Sequence, residues 1–370
     1  MTMRNLFLAL AVTFAAAAPL AAQPGIARAG AGVTYESYFF SSSEDVSLDR
    51  LSLLTVPLGA RFALTRTIDL EVASAYALGT AERPNGTTSD VSGPTDTELR
   101  LTALFARGAI ALTGIALLPT GSESLTLEEA DVAGLIAADV LPFSITNWGT
   151  GGGFGASTSF AQGFGDYAAG ISIGYVVARE FEPLSGDDFT YRPGNQLHVR
   201  AAIDRTFGRA GKAALVLTMQ RYADDELDGA NLFSTGDRYQ AVGSYAFAAG
   251  ARGNGIVYAG YLHREEGRFD EGANVLPAQG LAFGGLGLEL PAGRTLLRPS
   301  VDVRLLRQED GTGQGYTAGV GGSAEVPVGT LTFIPTVRGR FGNVILRDDA
   351  ESGFTGVEVG LALRFGSPDR

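Results

Sequence analysis

A strict two-residue alternation of side chains constrains the fold of this chain more than any other feature, and it is clearest in the stretch 354–365. One face of that stretch is apolar throughout: Val357, Val359, Leu361, Leu363 and Phe365. The opposite face carries Glu358 and Arg364 among small residues. Successive side chains of a strand point to opposite sides of a sheet, so one side of this strand suits hydrocarbon and the other suits water. That pattern is typical of a lipid-facing barrel strand rather than of a core strand buried on both faces.

The same alternation recurs along the chain, in segments whose connections alternate in length. Short connections lie at 65–67, 107–108, 162–165, 207–212, 249–254, 291–294 and 327–330, and long polar ones at 41–50, 81–95, 120–147, 179–188, 224–236, 265–278, 307–314 and 342–353. The sequence therefore predicts an all-β fold, a closed antiparallel transmembrane barrel of about sixteen strands, with fourteen or eighteen as alternatives. Short turns are expected on the periplasmic side and long loops outside. A soluble β-sandwich would also alternate, but it would not explain the charges in the middle of one face of many strands.

The N-terminus has the features of an export signal. Arg4 precedes an apolar run from Leu6 to Ala18, and Leu20-Ala21-Ala22 supplies small residues before Gln23. We expect residues 1–22 to be a cleaved signal peptide and 23–370 to form the barrel. These expectations place the protein in a bacterial outer membrane, in contact with its lipid and lipopolysaccharide, after insertion by the barrel-assembly machinery.

Composition narrows the classes of chemistry. The formal charge of −12 argues against a nucleic-acid partner. The chain has two His and no Cys, so a His/Cys metal cluster is not expected, and we predict neither a metal site nor another cofactor. Acidic clusters in the external loops suit solvated charge, or divalent ions that bridge lipopolysaccharide. A hydrolase would have to use His198 or His263, and no serine motif accompanies either, so enzyme activity is not expected.

The longest connection, 120–147, breaks the strand rhythm. Thr126 and Glu129 match a helix-capping box, and Pro142 would end a helix. The local pattern of 127–141 also allows a strand, but a strand would make the strand count odd, so we predict a helix. We expect its apolar residues to pack on the inner wall and its acidic residues to face the water path as a constriction; a helix over the rim is the alternative. The apolar residues are Val132, Leu135, Ile136 and Val140, and the acidic ones are Glu128, Glu129, Asp131 and Asp139.

The face opposite the apolar one carries many charges. We predict that these residues line a water-filled lumen, because a barrel of this strand number is too wide for side chains to fill. The predicted lining residues are Arg61, Asp69, Glu71, Glu98, Arg100, His198, Arg200, Asp204, Arg238, Arg298, Asp302, Arg304, Glu325, Arg338, Arg340, Glu358 and Arg364. The arginines form either a basic wall that favours anions or a ladder of salt bridges that stiffens the barrel.

Two stretches carry resemblances. Glu358, Gly360, Leu363 and Phe365 resemble the C-terminal insertion signal of bacterial outer-membrane proteins, with Leu363 where an aromatic residue is common. Thr95–Leu101 (T-D-T-E-L-R-L) followed by Ala116–Gly121 (A-L-L-P-T-G) resembles the outer-membrane transporter-like family named for the MetA pathway of phenol degradation. That resemblance implies a barrel that passes small or hydrophobic organic molecules. The connection 120–147 is the third of the long external loops, and its position is similar to that of the loop that general porins fold into the barrel.

The functional expectation is a channel through which small solutes diffuse passively. A barrel whose exposed loops bind or adhere, without transport, is the alternative from another class. An outer-membrane hydrolase that uses His198 is the third. The oligomeric state and the identity of the solute do not follow from the sequence.

Overall fold

A computed structural model describes residues 26–41, 47–208, 211–250, 252–269, 275–308, 314–345 and 351–365. The predicted signal peptide, residues 1–22, lies outside the described residues. Within them, no helix is long and apolar enough to cross a membrane.

Twenty-two strands, one α-helix and one short 3-10 helix (Ala106–Gly108) make up the described secondary structure. The helix, α1, spans Leu127–Ile136. The strands are β1 (Ile26–Phe40), β2 (Arg50–Ala63), β3 (Ile68–Glu82), β4 (Thr88–Pro94), β5 (Thr97–Phe105), β6 (Ile110–Leu118), β7 (Gly153–Phe164), β8 (Tyr167–Ala178), β9 (Tyr191–Arg192), β10 (Gln196–Phe207), β11 (Gly211–Tyr222), β12 (Asp225–Leu227), β13 (Ala230–Ser234), β14 (Arg238–Ala249), β15 (Gly253–Arg264), β16 (Gly267–Phe269), β17 (Val275–Leu276), β18 (Gln279–Ala292), β19 (Thr295–Gln308), β20 (Gln314–Val328), β21 (Leu331–Ile345) and β22 (Glu351–Phe365).

Sixteen of these strands form one closed antiparallel barrel in the described part of the chain. Each pairs with its neighbours in chain order, and β1 pairs with β22 from Ala29↔Phe365 to Phe40↔Phe354, which closes the sheet. The predicted barrel and its strand number are confirmed. The Gly-rich stretch 279–290, whose alternation is weak, is the strand β18. Closure pairs both edges of each of these sixteen strands, which is the condition for a sheet to cross a membrane.

The predicted loop 81–95 is mostly strand. The connection 81–95 was predicted to be a long polar loop, but β4 lies within it and pairs with the end of β3, from Glu82↔Thr88 to Tyr76↔Pro94. The beginning of β3 pairs with β5 instead, so β4 and β5 extend one side of β3 in turn. Val91 of β4 is fully buried in the barrel interior. The polar composition of the stretch misled the prediction because alternate residues face water.

The outer face of the barrel is apolar. On β19, Leu297, Val301 and Leu305 are exposed, while Arg298 and Asp302 face inward and form ion pairs there. Aromatic rings gather at the short-turn end: Phe164 stacks on Tyr167 at 5.9 Å between centroids, and Phe207 meets Tyr245 at 6.4 Å. Arg205 lies over two of these rings, 5.0 Å from that of Tyr167 and 4.8 Å from that of Phe207. An apolar band with an aromatic girdle matches a membrane-embedded barrel.

The long loops themselves form a second sheet of five strands, which are β9, β12, β13, β16 and β17. Its buried carboxylate, Asp225, accepts hydrogen bonds from the Tyr191 hydroxyl at 2.7 Å and from the Gly194 N–H at 2.7 Å. Burial of the Tyr191 hydroxyl and, as the second cause, its hydrogen bond to Asp225 raise the pKa of Tyr191 above its ordinary value. Asp225 is therefore a structural residue that joins two long loops, its own and the one between β8 and β10, rather than solvated loop charge.

Candidate functional site

The loop between β6 and β7 enters the barrel and packs against the inner wall. Its helix, α1, begins with the predicted capping box: the Thr126 hydroxyl accepts from the Glu129 N–H at 3.2 Å, and the Glu129 carboxylate accepts from the Thr126 N–H at 2.8 Å. The helix prediction is confirmed, although α1 ends at Ile136 rather than at 141. The apolar residues predicted to seek the inner wall, Val132, Leu135, Ile136 and Val140, are all buried.

The helix packs on a patch of small and apolar side chains on the inner face of β2, β3 and β4. Gly79 lies directly beneath the helix: a Cβ at this position would come within 2.4 Å of Ile136 Cδ1 and 3.2 Å of the Trp148 ring. Leu51, Leu53 and Val91 are fully buried around it. Most of the described hydrophobic core therefore lies inside the barrel, at its long-loop end, between the loop and the wall.

Polar contacts anchor the loop to the wall on both sides of the β1–β22 seam. Glu36 of β1 accepts hydrogen bonds from the Ser144 N–H at 3.0 Å and the Ser144 hydroxyl at 2.6 Å. The Thr317 hydroxyl of β20 donates to the Val140 carbonyl at 3.0 Å. The Trp148 indole donates to a carbonyl of β3, that of Ala77, at 3.3 Å. These bonds fix the position of the loop across the lumen.

The two halves of the transporter-like motif meet at the base of this loop. The Asp96 carboxylate accepts from the Gly121 N–H at 3.1 Å and from the Thr150 N–H and hydroxyl, each at 2.8 Å. A side chain at Gly121 would collide with the Trp148 carbonyl, 2.2 Å from an added Cβ. Asp96 and Gly121 thus hold the two ends of the loop together. This contact is a structural reason for an acidic residue and a glycine at these two positions.

The acidic residues of the loop have separate partners. Asp131 pairs with Arg83 at 2.6 Å, Glu128 accepts from the Ser89 hydroxyl at 2.7 Å, and Glu129 completes the capping box. Asp139 is exposed and acts electrostatically on Arg264, on the facing strand β15. A role of these four residues in a constriction stays a prediction.

The arginines near the β1–β22 seam form a ladder of salt bridges. Asp302 of β19 pairs with Arg338 and, at 3.3 Å, with Arg340 of β21, while Glu358 of β22 lies 3.1 Å from Arg340. A second group joins Arg298 to Glu289 at 3.0 Å. In that group Glu325 also pairs with Arg298 and with Arg364. Of the two readings of these charges, the structure favours the ladder over a free basic wall. Arg304, which also faces inward, lies beside this ladder and acts electrostatically on Arg340.

Other predicted lining residues also face inward in pairs. The pairs are Arg61 with Asp69 and Glu71, Arg100 with Glu98, and Asp204 with Lys212. Arg238 lies over the Tyr222 ring, 5.7 Å from its centroid. Arg200 is exposed to the lumen, and the described residues place no carboxylate within ion-pair distance of it.

The wall away from the ladder borders a cavity of about 770 Å³. Its lining mixes charged, neutral polar and apolar side chains, among them Glu71, Glu98, Arg100, Gln196, His198, Arg200, Thr218, Gln240, Val216 and Val242. The loop between β6 and β7 packs against the wall near the β1–β22 seam. The cavity therefore lies on the open side of the barrel, the side of the lumen that the loop does not fill, level with the polar lining residues.

His198 belongs to a chain of neutral hydrogen bonds. The Tyr222 hydroxyl lies 3.2 Å from Gln220 Oε1, Gln220 Nε2 lies 3.3 Å from His198 Nδ1, and His198 Nε2 lies 3.0 Å from Gln196 Oε1. An amide N–H can only donate, so His198 Nδ1 accepts and its Nε2–H donates. In the described structure the partners of His198 are amides, and neither a serine nor a carboxylate is among them. His263 lies on the opposite, outward face of β15, in a shallow groove with Tyr239 and Tyr261.

The predicted insertion signal forms the closing strand. Phe365 is paired in register with Ala29 and with Leu331, and Glu358 faces the lumen in the ladder. Gly360 lies close to the neighbouring strand, since an added Cβ would meet Thr34 Oγ1 at 3.1 Å. Leu363 is on the outward face. The structure describes how these residues pack, and their role in insertion stays a prediction.

Among the residues that position the loop but were absent from the predicted site are Glu36, Asp96 and Trp148. Glu36 carried a signal, because it is a carboxylate on the inward face of a strand whose other face shows Tyr35 and Phe39. Trp148 is the single tryptophan of the chain. Among the described residues, no group of three or more His, Asp or Glu side chains is arranged to hold a metal ion.

No protein-family model matches the sequence, and no curated protein matches it. Several solved structures are similar in fold. OprB of Pseudomonas putida, at high pH, is 11% identical with a TM-score of 0.48, over 92% of this chain and 94% of that one. An anion-selective porin from Comamonas acidovorans is 14% identical with a TM-score of 0.43, over 92% and 99%. A loop L8 deletion mutant of OmpT, an outer membrane protein of Vibrio cholerae, is 11% identical with a TM-score of 0.41, over 92% and 99%. Because these identities and TM-scores are low, nothing about the function of this chain follows from them.

Proposed function

We propose that this protein is an outer-membrane channel through which small solutes diffuse passively. The observation that carries the proposal is the cavity of about 770 Å³ beside a loop that packs inside a closed sixteen-stranded barrel. A closed sheet with an apolar outer face satisfies its backbone hydrogen bonds in lipid. A lumen with polar lining residues holds water, and its loop sets the size of the path.

The location follows from the outer surface and from the expected export signal. The exposed Leu, Val, Ile and Phe residues on the outward face of the strands would aggregate in water but are stable in hydrocarbon. The aromatic residues near the short turns lie where a membrane–water interface would be. With these features we place the short turns in the periplasm and the long loops, with their small sheet, outside the cell.

The solute class is argued from the lining. Amide, hydroxyl and charged side chains share the cavity with Ile115, Leu117, Val176, Val216 and Val242. Mixed polar and apolar surfaces suit small organic molecules that carry both kinds of group. This is also the class of solute that the resemblance to the transporter-like family implies.

Reconstitution in planar bilayers tests the proposal. The purified full-length protein should give stepwise ion currents and should migrate differently on gels before and after heating, because a closed barrel resists detergent. Heat-modifiable protein that carries no current would contradict a channel. Extraction of the protein as a soluble periplasmic species would contradict the membrane location.

A surface-binding barrel without transport remains the second candidate, since the long loops form an ordered five-stranded sheet in which Asp225 ties two of the loops together. Ordered loops present a defined surface to a partner. The bilayer experiment separates the two candidates, because a binding barrel with a closed lumen gives no current.

A further inference from the structure

We propose that the lumen holds a binding site for small organic monocarboxylates, centred on Arg200 of β10. The inference rests on the proposed channel function and names a solute class for it. Arg200 is exposed to the cavity of about 770 Å³ that lies on the open side of the barrel.

Arg200 has no carboxylate partner among the described residues, and neither do the inward-facing Arg238 and Arg304, but of these three only Arg200 lines this cavity. Six other inward-facing arginines have ion pairs with strand carboxylates: Arg61, Arg100, Arg298, Arg338, Arg340 and Arg364. The acids that share the cavity or the strand with Arg200 are engaged elsewhere: Glu71 with Arg61 at 3.5 Å, Glu98 with Arg100, and Asp204 with Lys212 at 3.3 Å. Within the described residues, no carboxylate competes for the Arg200 guanidinium. A guanidinium binds a carboxylate through two parallel hydrogen bonds, so this one is available to a solute.

Neutral hydrogen-bonding residues flank Arg200 at the same height of the wall. In register, Arg200 is opposite Ser172 of β8 and Thr218 of β11, and Thr218 is opposite Gln240 of β14. The Ser159 hydroxyl donates to the Ser172 hydroxyl at 2.9 Å, which leaves the Ser172 hydrogen free to donate. The row supplies donors to an anion and places no negative charge directly beside Arg200.

Apolar side chains border this row on both sides. Ile115 and Val176 lie toward the long-loop end, and Val216 and Val242 lie toward the short-turn end of the same cavity. A solute whose carboxylate meets Arg200 would therefore rest its remaining atoms on apolar surface. A small aromatic or branched monocarboxylate combines one charge with such a body, whereas a sugar or a polyvalent anion would leave these side chains in contact with polar groups.

Current block in planar bilayers tests the site, with benzoate as the probe and benzamide as its uncharged counterpart. Benzoate should reduce the ion current of the full-length channel in a saturable way, and benzamide should do so far less. Arg200→Gln should weaken block by benzoate about tenfold or more, since it removes a charge-assisted hydrogen-bond pair. Arg200→Lys keeps the charge without the paired geometry and should lie between the two. Arg205→Gln is the matched control, because it removes the same charge from the outward face of the same strand.

The outcomes separate the two levels of the proposal. Equal block of the native channel and of Arg200→Gln would overturn the carboxylate site and leave the channel intact. A native protein that inserts but carries no current would overturn the proposed function itself. Should Arg200→Gln fail to insert, the native channel still decides, because equal block by benzoate and benzamide overturns the site.

Discussion

The carboxylate of Glu36 accepts two hydrogen bonds from Ser144, one from its backbone N–H at 3.0 Å and one from its hydroxyl at 2.6 Å. Glu36 belongs to the first strand of the barrel, and Ser144 lies in the loop that enters the lumen. The bond pair joins the closure seam of the sheet to the loop. It also gives a buried carboxylate two donors, without which its desolvation would be costly.

Loss of one of these donors should loosen the loop. We expect Ser144→Ala to cost about 1–2 kcal/mol of stability, because a buried carboxylate loses a hydrogen bond. The channel should then show more frequent current fluctuations in single-channel records, together with a lower temperature of gel-shift conversion. Ser185→Ala, on an exposed serine of another long loop, is the control. Native noise and native conversion temperature in Ser144→Ala would contradict the anchoring role.

Displacement of the helix should widen the pore. Ile136 is fully buried against Gly79 and Trp148. Ile136→Asp would therefore place a carboxylate in an apolar environment, at a cost of several kcal/mol in stability. The helix should leave the wall, and single-channel conductance should change, with a rise if the loop narrows the path. Leu127→Asp, in the same helix but 75% exposed, should behave as the native protein. Deletion of 124–140 is the stronger version of the same test, and unchanged conductance after normal insertion would place the loop outside the conducting path.

The salt-bridge ladder should govern stability more than ion preference. Arg340 is largely buried between Asp302 and Glu358, at 3.3 Å and 3.1 Å. Arg340→Ala leaves two carboxylates without this partner, and we expect a loss of about 3 kcal/mol, seen as a lower unfolding temperature. The double variant with Asp302→Ala should recover part of that loss. Arg307→Ala, on an exposed arginine of β19, is the control.

A further variant, Arg338→Ala, decides between the ladder and a basic wall. If the ladder neutralises these arginines, the reversal potential in a salt gradient should stay close to that of the native channel in Arg338→Ala. A large shift toward cations, without loss of stability, would favour the basic wall instead.

The closing strand should matter for insertion. Leu363→Ala combined with Phe365→Ala removes two apolar side chains at the short-turn end of β22, beside β1 and β21. Surface levels of the protein should fall, as measured by labelling of intact cells. Val337→Ala removes an exposed apolar side chain from the outward face of β21 and should insert normally. Normal surface levels of the double variant would show that these residues are not the insertion signal.

The barrel followed from the sequence because strand alternation is local. Each of the residues Leu297, Arg298, Val301 and Asp302 takes its face from its position in an extended strand, and a membrane barrel sorts those faces between lipid and water. The helix in the third long loop followed for the same reason, since Thr126 and Glu129 are only three residues apart. These features depend on near neighbours in the chain.

Tertiary structure alone decided which of the inward charges are neutralised. Asp302 meets Arg338 and Arg340 because β19, β20 and β21 lie side by side, and their register brings side chains at the same height in the barrel together. The alternation within a single strand does not determine that register. Likewise, Glu36 meets Ser144 only once the sheet has closed and the loop has folded inward. The pattern of polar and apolar residues determined that a charge faces the lumen. The register between distant strands decided whether that charge has an ion-pair partner, as Arg340 has, or has no carboxylate partner among the described residues, as is the case for Arg200.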